Sequence, residues 1–432
     1  MRILFDQSVH DHRNSGNNAL LEVTRTRFRM FWAQARFDVL SISPYFCQVY
    51  LDDVNPVAPE NFSERQGRLT AIFKLIPKPI WRLVFELREQ LKREKTGELT
   101  STVKDGGPDQ ANVNLEAEVG ESGVGAADLY PAMGQYDLYV PTGGGYLCDS
   151  DKRFLFALFD RLEAAHAKGV LTVMVGQGIG PLEDLELRKR ASEVLPKLDY
   201  LLTREEKLTR PLLDSLGVPA EKVLMTGDDA IEPAYLARKE KIGTGIGLSL
   251  RVAAYTDFHR GHINAIRPAI FAAAAKYKAT LVSAPIDAND ADKEFVAELM
   301  HGYHRIFSNW RKFESTAAII DRISHCRIMI TGTFHGAVFA LSQGIPVIGL
   351  ANSIEYRNKL SGLATEFGAE GCQILMLKDE SLDENLRKAI DFTWSSAERL
   401  RPQLLEAARR QVELGHAAYR KIYSLVESRR SH

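Results

Sequence analysis

Five short segments, each directly after an apolar run, hold the residues of this chain best suited to chemistry. The richest runs Thr331-Gly332-Thr333-Phe334-His335-Gly336 and continues through small apolar residues to Gly344-Ile345-Pro346. A strand over Arg327–Thr331 would feed a tight turn and then a helix, placing His335 at the helix N-terminus. That position favours a neutral imidazole and a nearby anion. A histidine there can move a proton near neutral pH. It also suits a histidine that merely caps the helix or fills the core.

Two arginines stand in similar places. Arg204, in Thr203-Arg204-Glu205-Glu206, follows the apolar run Tyr200–Thr203. Arg251 follows Gly247-Leu248-Ser249-Leu250. Ligands of open parallel sheets bind beyond the carboxyl ends of the strands, and a guanidinium fork fits a carboxylate or phosphate. Arg204 has a plainer alternative in an ion pair with Glu205 or another neighbouring acid. If the two arginines come from different domains, they would clamp a dianion between them.

The remaining segments are glycine-rich. Thr142-Gly143-Gly144-Gly145 follows the strand Leu138–Pro141, and Gly176-Gln177-Gly178-Ile179-Gly180-Pro181 follows Leu171–Val175. Glycines at a strand end let a ligand or another backbone approach and offer amides to an anion. They serve equally as plain tight connections. The second segment lacks the last glycine of GxGxxG and a credible acidic ribose partner, so a dinucleotide is not expected. His259 and His262 have HxxH spacing without a third ligand in reach, and no metal is expected.

Elements that must position these residues follow from the rhythm of the chain. Short apolar strands alternate with amphipathic helices such as Lys152–Lys168 and Leu185–Val194, which argues for parallel sheets covered on both faces. A charged stretch from Ala237 to Ile242 separates two such series. The expected organisation is α/β: two Rossmann-like domains facing a cleft, 1–238 and 239–385, with a helical tail over 386–432 packing across them. An insertion at about 50–126 breaks the first domain. Within it Ile80–Lys95 has the spacing of one apolar helix face, solvated or partner-binding. Thr96–Ala126 reads as a partly flexible loop.

Composition sets the outer limits. At 432 residues the chain exceeds a single core. Its formal net charge of -1 gives no field for nucleic acid. The four cysteines are scattered and read as reduced core thiols. The opening Met1–Asp6 reads as a strand rather than a signal peptide, and no apolar run is long enough to span a membrane, so a cytoplasmic protein is expected.

Taken in order, these segments, with Asn14-Ser15-Gly16-Asn17-Asn18, Gly227-Asp228-Asp229 and Tyr356-Arg357-Asn358-Lys359-Leu360, resemble the polysaccharide pyruvyl transferases. The likeness spans most of the chain outside residues 50–126 and the tail. It implies a GT-B-like fold and transfer of a pyruvyl group from phosphoenolpyruvate to a sugar, giving a ketal and phosphate without a cofactor. It also implies that Arg204 and His335 serve the phosphoenolpyruvate site, with His335 as general acid. Thr333 stands where that family usually has arginine, so either another cation such as Arg251 or Lys359 takes that role, or the donor differs, or activity has been lost. The expected substrate-binding set is Arg251, Gly143, Gly144, Gly145, Asn14, Asn18, Gln177, Thr333, Gly336 and Lys359. The acceptor would face Gly143–Gly145 and the Asn14–Asn18 loop; His10 and His12 in the same loop suit either an acceptor-side role or ordinary loop polarity. A lipid-linked acceptor with peripheral membrane contact and a homo-oligomer fit the resemblance. The alternatives are a GT-B glycosyltransferase or nucleotide-sugar enzyme, and a non-catalytic relative.

Overall fold

The computed structural model describes residues 1–8, 12–43, 47, 50–51, 53–57, 131–251, 260–288, 290–309 and 314–431. The segments expected at Ile80–Lys95 and Thr96–Ala126, His10 and His259 lie outside the described residues.

Apolar runs without alternation become strands buried on both faces. In the run Ile328–Ile330, for example, all three residues are fully buried. The first sheet collects β1 (Arg2–Asp6), β2 (Arg36–Leu40), β3 (Asn55–Val57), β4 (Leu138–Pro141), β5 (Gly144–Leu147), β6 (Leu171–Ile179), β7 (Tyr200–Thr203) and β8 (Val223–Met225). Its order is β3-β2-β1-β4-β6-β7-β8, with β5 paired to β6, and every pairing is parallel. Helix α1 (Ser15–Phe31) follows β1, α2 (Lys152–Ala167) and α3 (Leu185–Val194) flank β6, and α4 (Thr209–Ser215) and α5 (Ile231–Leu236) follow β7 and β8.

The second sheet holds β9 (Gly245–Ser249), β10 (Leu281–Ser283), β11 (Ile306–Phe307), β12 (Cys326–Thr331), β13 (Val347–Ala351) and β14 (Cys372–Met376). Its parallel order, β11-β10-β9-β12-β13-β14, repeats the plan of the first. Both are doubly wound sheets whose order reverses beside their first strand, between β1 and β4 and between β9 and β12. Such sheets receive ligands at that switch point, beyond the strand ends. Helices α6 (Arg260–Lys276), α7 (Asp290–Met300), α8 (Thr316–Ile323), α9 (Phe334–Ser342) and α10 (Ile354–Phe367) cover this sheet.

The last helix, α11 (Leu382–Arg430), touches both lobes. Its first half receives Arg327 of β12 at Glu398 and at the Trp394 carbonyl. Its second half reaches α1, where Tyr419 Oη lies 3.2 Å from Thr24 Oγ1 and Glu427 accepts from the Trp32 indole at 2.8 Å. Pro402 falls inside the helix, where it lacks the amide for one i→i−4 bond. The lobes also share one apolar cluster: Ala19, Leu20, Ala230 and Ile231 of the first pack with Val338, Ile345 and Leu404.

Two glycine segments differ from the turns expected of them. Gly144–Leu147 is a strand, and β6 runs on through Gly176-Gln177-Gly178 to Ile179. Parallel pairing of Gly144 with Gln177 and of Leu147 with Ile179 extends the sheet at its carboxyl end. The β6–β7 register shifts between Met174 and Gln177, a stretch that includes Gly176, whose φ of +58 is a conformation other residues seldom adopt.

Candidate active site at the interlobe cleft

His335 stands in the first turn of α9. Thr333 caps that helix, its hydroxyl accepting from the Gly336 amide at 3.2 Å. Thr331, Ser249 and Thr333 interlock beneath the turn, with Ser249 Oγ 2.9 Å from Thr333 Oγ1 and the Gly332 amide donating to Ser249 O at 2.8 Å. The end of β12 is thereby tied to the end of β9. Gly336 sits against Thr333, Thr331 and Ser249 with no room for a side chain. Thr333 and Gly336 are therefore framework for the helix start.

The ring of His335 leaves its own lobe and meets the other. The Cγ–Nδ1 edge occupies the place a Cβ on Gly16 would take, at the start of α1. Nε2 lies 3.9 Å from Asp228 Oδ2, is buried and has no hydrogen-bond partner among the described residues. Burial, followed by the charges of Arg204 and Arg251, pushes the imidazole down to about 3. The ligand-free ring is therefore neutral at pH 7.

Arg204 follows β7 and is almost wholly buried. Its guanidinium lies 3.9 Å above the Phe334 ring of the opposite lobe. Nη1 is 3.5 Å from Asp228 Oδ2. Burial pulls the pKa of Arg204 below the usual arginine range, against the raising effects of Asp228 and Glu205. Glycines make its space: a Cβ on Gly178 would fall 2.6 Å from its Cζ, and one on Gly145 would fall 2.7 Å from Nη2. Glu205 turns away to its own helix, where its carboxylate accepts from the Leu208 and Thr209 amides, each at 2.9 Å.

Asp228, which the sequence marks only as part of Gly227-Asp228-Asp229, joins the site as well. It follows β8, with Oδ1 accepting from the Ala230 amide at 2.9 Å. Burial raises its pKa, opposed by Arg204. Its position just past an apolar run, like those of Arg204 and Arg251, was the available signal.

Arg251 lies past the end of β9, half-buried, with Nη1 2.9 Å from Asp287 Oδ2. Asp287 also bridges to Asn14 of the first lobe. Backbone bonds reinforce this seam: the Ser15 amide donates to Ile286 O at 2.9 Å and the Ala288 amide to Arg13 O at 3.0 Å. Asn14 is the N-cap of α1, accepting from the Gly16 and Asn17 amides. Asn18 is buried, bonded to the His12 carbonyl at 2.9 Å, and His12 in turn reaches Ser41 at 2.8 Å. The α1 loop thus spends Asn14, Asn18 and His12 on local structure and on the seam.

An open cavity of about 310 Å³ lies beside Arg204 and is walled by both lobes. Gly145, Gly178 to Glu183, Arg188, Arg204 and Asp228 form one side, and Phe334, Glu355, Asn358 and Lys359 the other. Lys359 pairs with Glu355 at 2.8 Å within α10. Of the residues singled out in the sequence, Arg204, Gly145 and Lys359 line the cavity, and His335 lies just behind Arg204 and Asp228. Gly143 is packed against Leu20 and the Gly176 carbonyl, and Gly144 pairs in the sheet. Gln177 is fully buried, its amide donating to Thr142 O at 2.8 Å and to Tyr146 Oη at 2.9 Å. These three shape the sheet end and do not line the cavity. No group of three or more histidine, cysteine or acidic side chains among the described residues is placed to hold a metal ion.

Two doubly wound parallel sheets with their carboxyl ends across a cleft, bridged by a C-terminal helix, define a GT-B fold. Solved structures agree in architecture. A UDP-N-acetylglucosamine 2-epimerase from Listeria monocytogenes superposes with a TM-score of 0.58 at 11% identity, over 99% of this chain and 96% of its own. The Neisseria meningitidis UDP-GlcNAc 2-epimerase bound to UDP-GlcNAc gives 0.52 at 13% identity over 100% of both chains. A glycosyltransferase from Rickettsia africae gives 0.51 at 13%, over 98% of each. At such identities the likeness concerns the fold. No curated protein matches the sequence. The profile of the polysaccharide pyruvyl transferase family matches residues 14–354, and the chain belongs to that family. No helix among the described residues is long and apolar enough to cross a membrane.

Proposed function

We propose that the protein transfers a pyruvyl group from phosphoenolpyruvate to two hydroxyls of a sugar in a glycan or its precursor, releasing phosphate. The observation that carries this reading is the approach of Arg204 and of His335 Nε2, an atom with no hydrogen-bond partner among the described residues, to the same Asp228 oxygen beside an open cavity. A three-carbon donor with a carboxylate and a phosphate needs cations and a proton source within one small volume. Arg204 and Arg251 supply the cations from the two lobes.

Ketal formation begins with a proton delivered to the methylene carbon, which leaves an oxocarbenium-like C2. One sugar hydroxyl adds there, the C2–O bond to phosphate breaks, and the second hydroxyl closes the ring. Of the two hydroxyl protons, one restores the acid and one leaves with the phosphate. His335 is the acid in this scheme. Its depressed pKa reflects burial and two arginines, so a dianion bound between them opposes that effect and raises the ring's proton affinity. The acceptor sugar enters through the cavity along α10, since the α1 loop is engaged in the interlobe seam.

The deciding measurement is phosphate release from phosphoenolpyruvate with a panel of sugar acceptors, run beside a panel of nucleotide sugars. Acceptor-dependent phosphate release supports the reading. Turnover of a nucleotide sugar with phosphoenolpyruvate inert overturns it in favour of a glycosyltransferase or epimerase activity.

A further inference from the structure

Asp228 is the one carboxylate of the first lobe within 4 Å of the His335 ring among the described residues. Its Oδ1 is fixed by the Ala230 amide at 2.9 Å, so Oδ2 is aimed and cannot freely rotate away. Oδ2 faces Arg204 Nη1 at 3.5 Å and His335 Nε2 at 3.9 Å. The opposite edge of the ring, at Nδ1, lies against Gly16. Among the described residues nothing in hydrogen-bond reach fixes the proton at Nε2, and that atom is buried.

We infer that Asp228 is a positioning residue for His335, whose carboxylate holds the imidazole in the tautomer with its proton on Nε2, the nitrogen nearer that carboxylate. This rests on the reading of the cleft as the donor site. A neutral imidazole carries one proton on either nitrogen, and a carboxylate beside one of them attracts that proton. Across 3.9 Å the attraction is electrostatic, and a sub-ångström approach of the lobes would convert it to a hydrogen bond. Arg204 and Arg251 act on the same ring in the opposite sense, disfavouring added positive charge. The groups around them are Asp287 on Arg251, Glu205 and Tyr356 toward Arg204, and Asp229 next to Asp228. Among the described residues Asp228 is the carboxylate within 4 Å of Nε2. When the bound dianion raises the ring's proton affinity, the second proton adds at Nδ1 and the Nε2 proton is the one delivered to the donor, leaving the neutral Nδ1–H ring, while the charge of Asp228 repels the dianion.

The two effects separate in Asp228→Asn, which keeps an oxygen for the Ala230 amide and removes the charge. Nitrogen-15 NMR of histidine-labelled protein at pH 7, with His335→Gln identifying the resonance, reads the tautomer without any substrate. The wild type should show a protonated Nε2, and Asp228→Asn should move the population toward Nδ1. Phosphoenolpyruvate should bind Asp228→Asn as tightly as the wild type or more so, while phosphate release falls at least 10-fold. Asp228→Glu should recover part of that loss. A wild-type ring protonated on Nδ1, or a tautomer unmoved in Asp228→Asn, overturns the inference whatever the enzyme acts on. Loss of phosphoenolpyruvate affinity in Asp228→Asn with turnover unchanged also overturns it, since Asp228 would then serve the anion site through Arg204. A wild-type enzyme inert toward phosphoenolpyruvate defeats the donor reading alone.

Discussion

Gly16 of the first lobe and His335 of the second fill one volume: the imidazole edge lies where a side chain at 16 would begin. The first helix of one lobe and the histidine-bearing helix of the other can approach this closely only because residue 16 has no Cβ. His335 is thereby held at the seam.

Gly16→Ala should therefore displace the ring. Overpacking of this kind typically costs about 1–3 kcal/mol, and the nearest relief is for the lobes to part or for His335 to rotate. The expected outcome is phosphate release reduced about 10-fold or more, with the melting temperature lowered by several degrees. Calorimetry beside the phosphate assay checks it, and a fully active Gly16→Ala enzyme would show that His335 need not sit there.

Arg204→Lys should keep the positive charge beside Asp228 and lose both the fork and the stacking on Phe334. Charge-assisted hydrogen bonds contribute about 1.5–3 kcal/mol, which corresponds to a rise of about 10–100-fold in KM for phosphoenolpyruvate. The measurement is initial-rate kinetics with the acceptor saturating. An unchanged KM would remove Arg204 from the donor site.

Asn358→Ala alters the α10 wall of the cavity. Its effect should fall on the acceptor: a rise of about 3–10-fold in acceptor KM, as for loss of a single net hydrogen bond of about 1 kcal/mol, with the phosphoenolpyruvate KM unaltered. The reverse pattern would place the acceptor elsewhere in the cleft.

Stability should fall as pH drops from 6.5 toward 4. Burial pushes His12 down to about 4 from its ordinary 6.5. In that window the unfolded chain binds the proton and the folded chain does not, so the free energy of unfolding rises with pH there. The full effect of this one group is about 3 kcal/mol. His12 has φ +62, so asparagine, which tolerates that backbone, is the suitable replacement. Urea titrations of His12→Asn against the wild type should show a shallower loss of stability between pH 6.5 and 4. Parallel curves would assign the acid sensitivity to other groups, His335 among them.

Much of the architecture could be read from the chain before any coordinates. Runs such as Arg327–Thr331 and Tyr200–Thr203 declare buried parallel strands because both faces demand apolar side chains. The residues just beyond them, Arg204, Arg251 and His335, are marked by that placement alone. The ordered motifs also pointed to the family.

What the chain order left open was which polar groups are consumed by their neighbours, because that depends on contacts between residues far apart in sequence. Asn14 and Asn18 look available as letters, yet the fold commits one to a helix cap and the interlobe seam and the other to His12. Gly145 and Gly178 suggested amides for an anion, and the packing uses their missing side chains to admit the guanidinium of Arg204. Asp228 reaches His335 across 107 positions of chain only because two sheets present their carboxyl ends to each other. Local spacing determined the strands and the residues at their tips; the pairing of tips across the cleft is a long-range packing outcome, and it alone decided which of those residues meet.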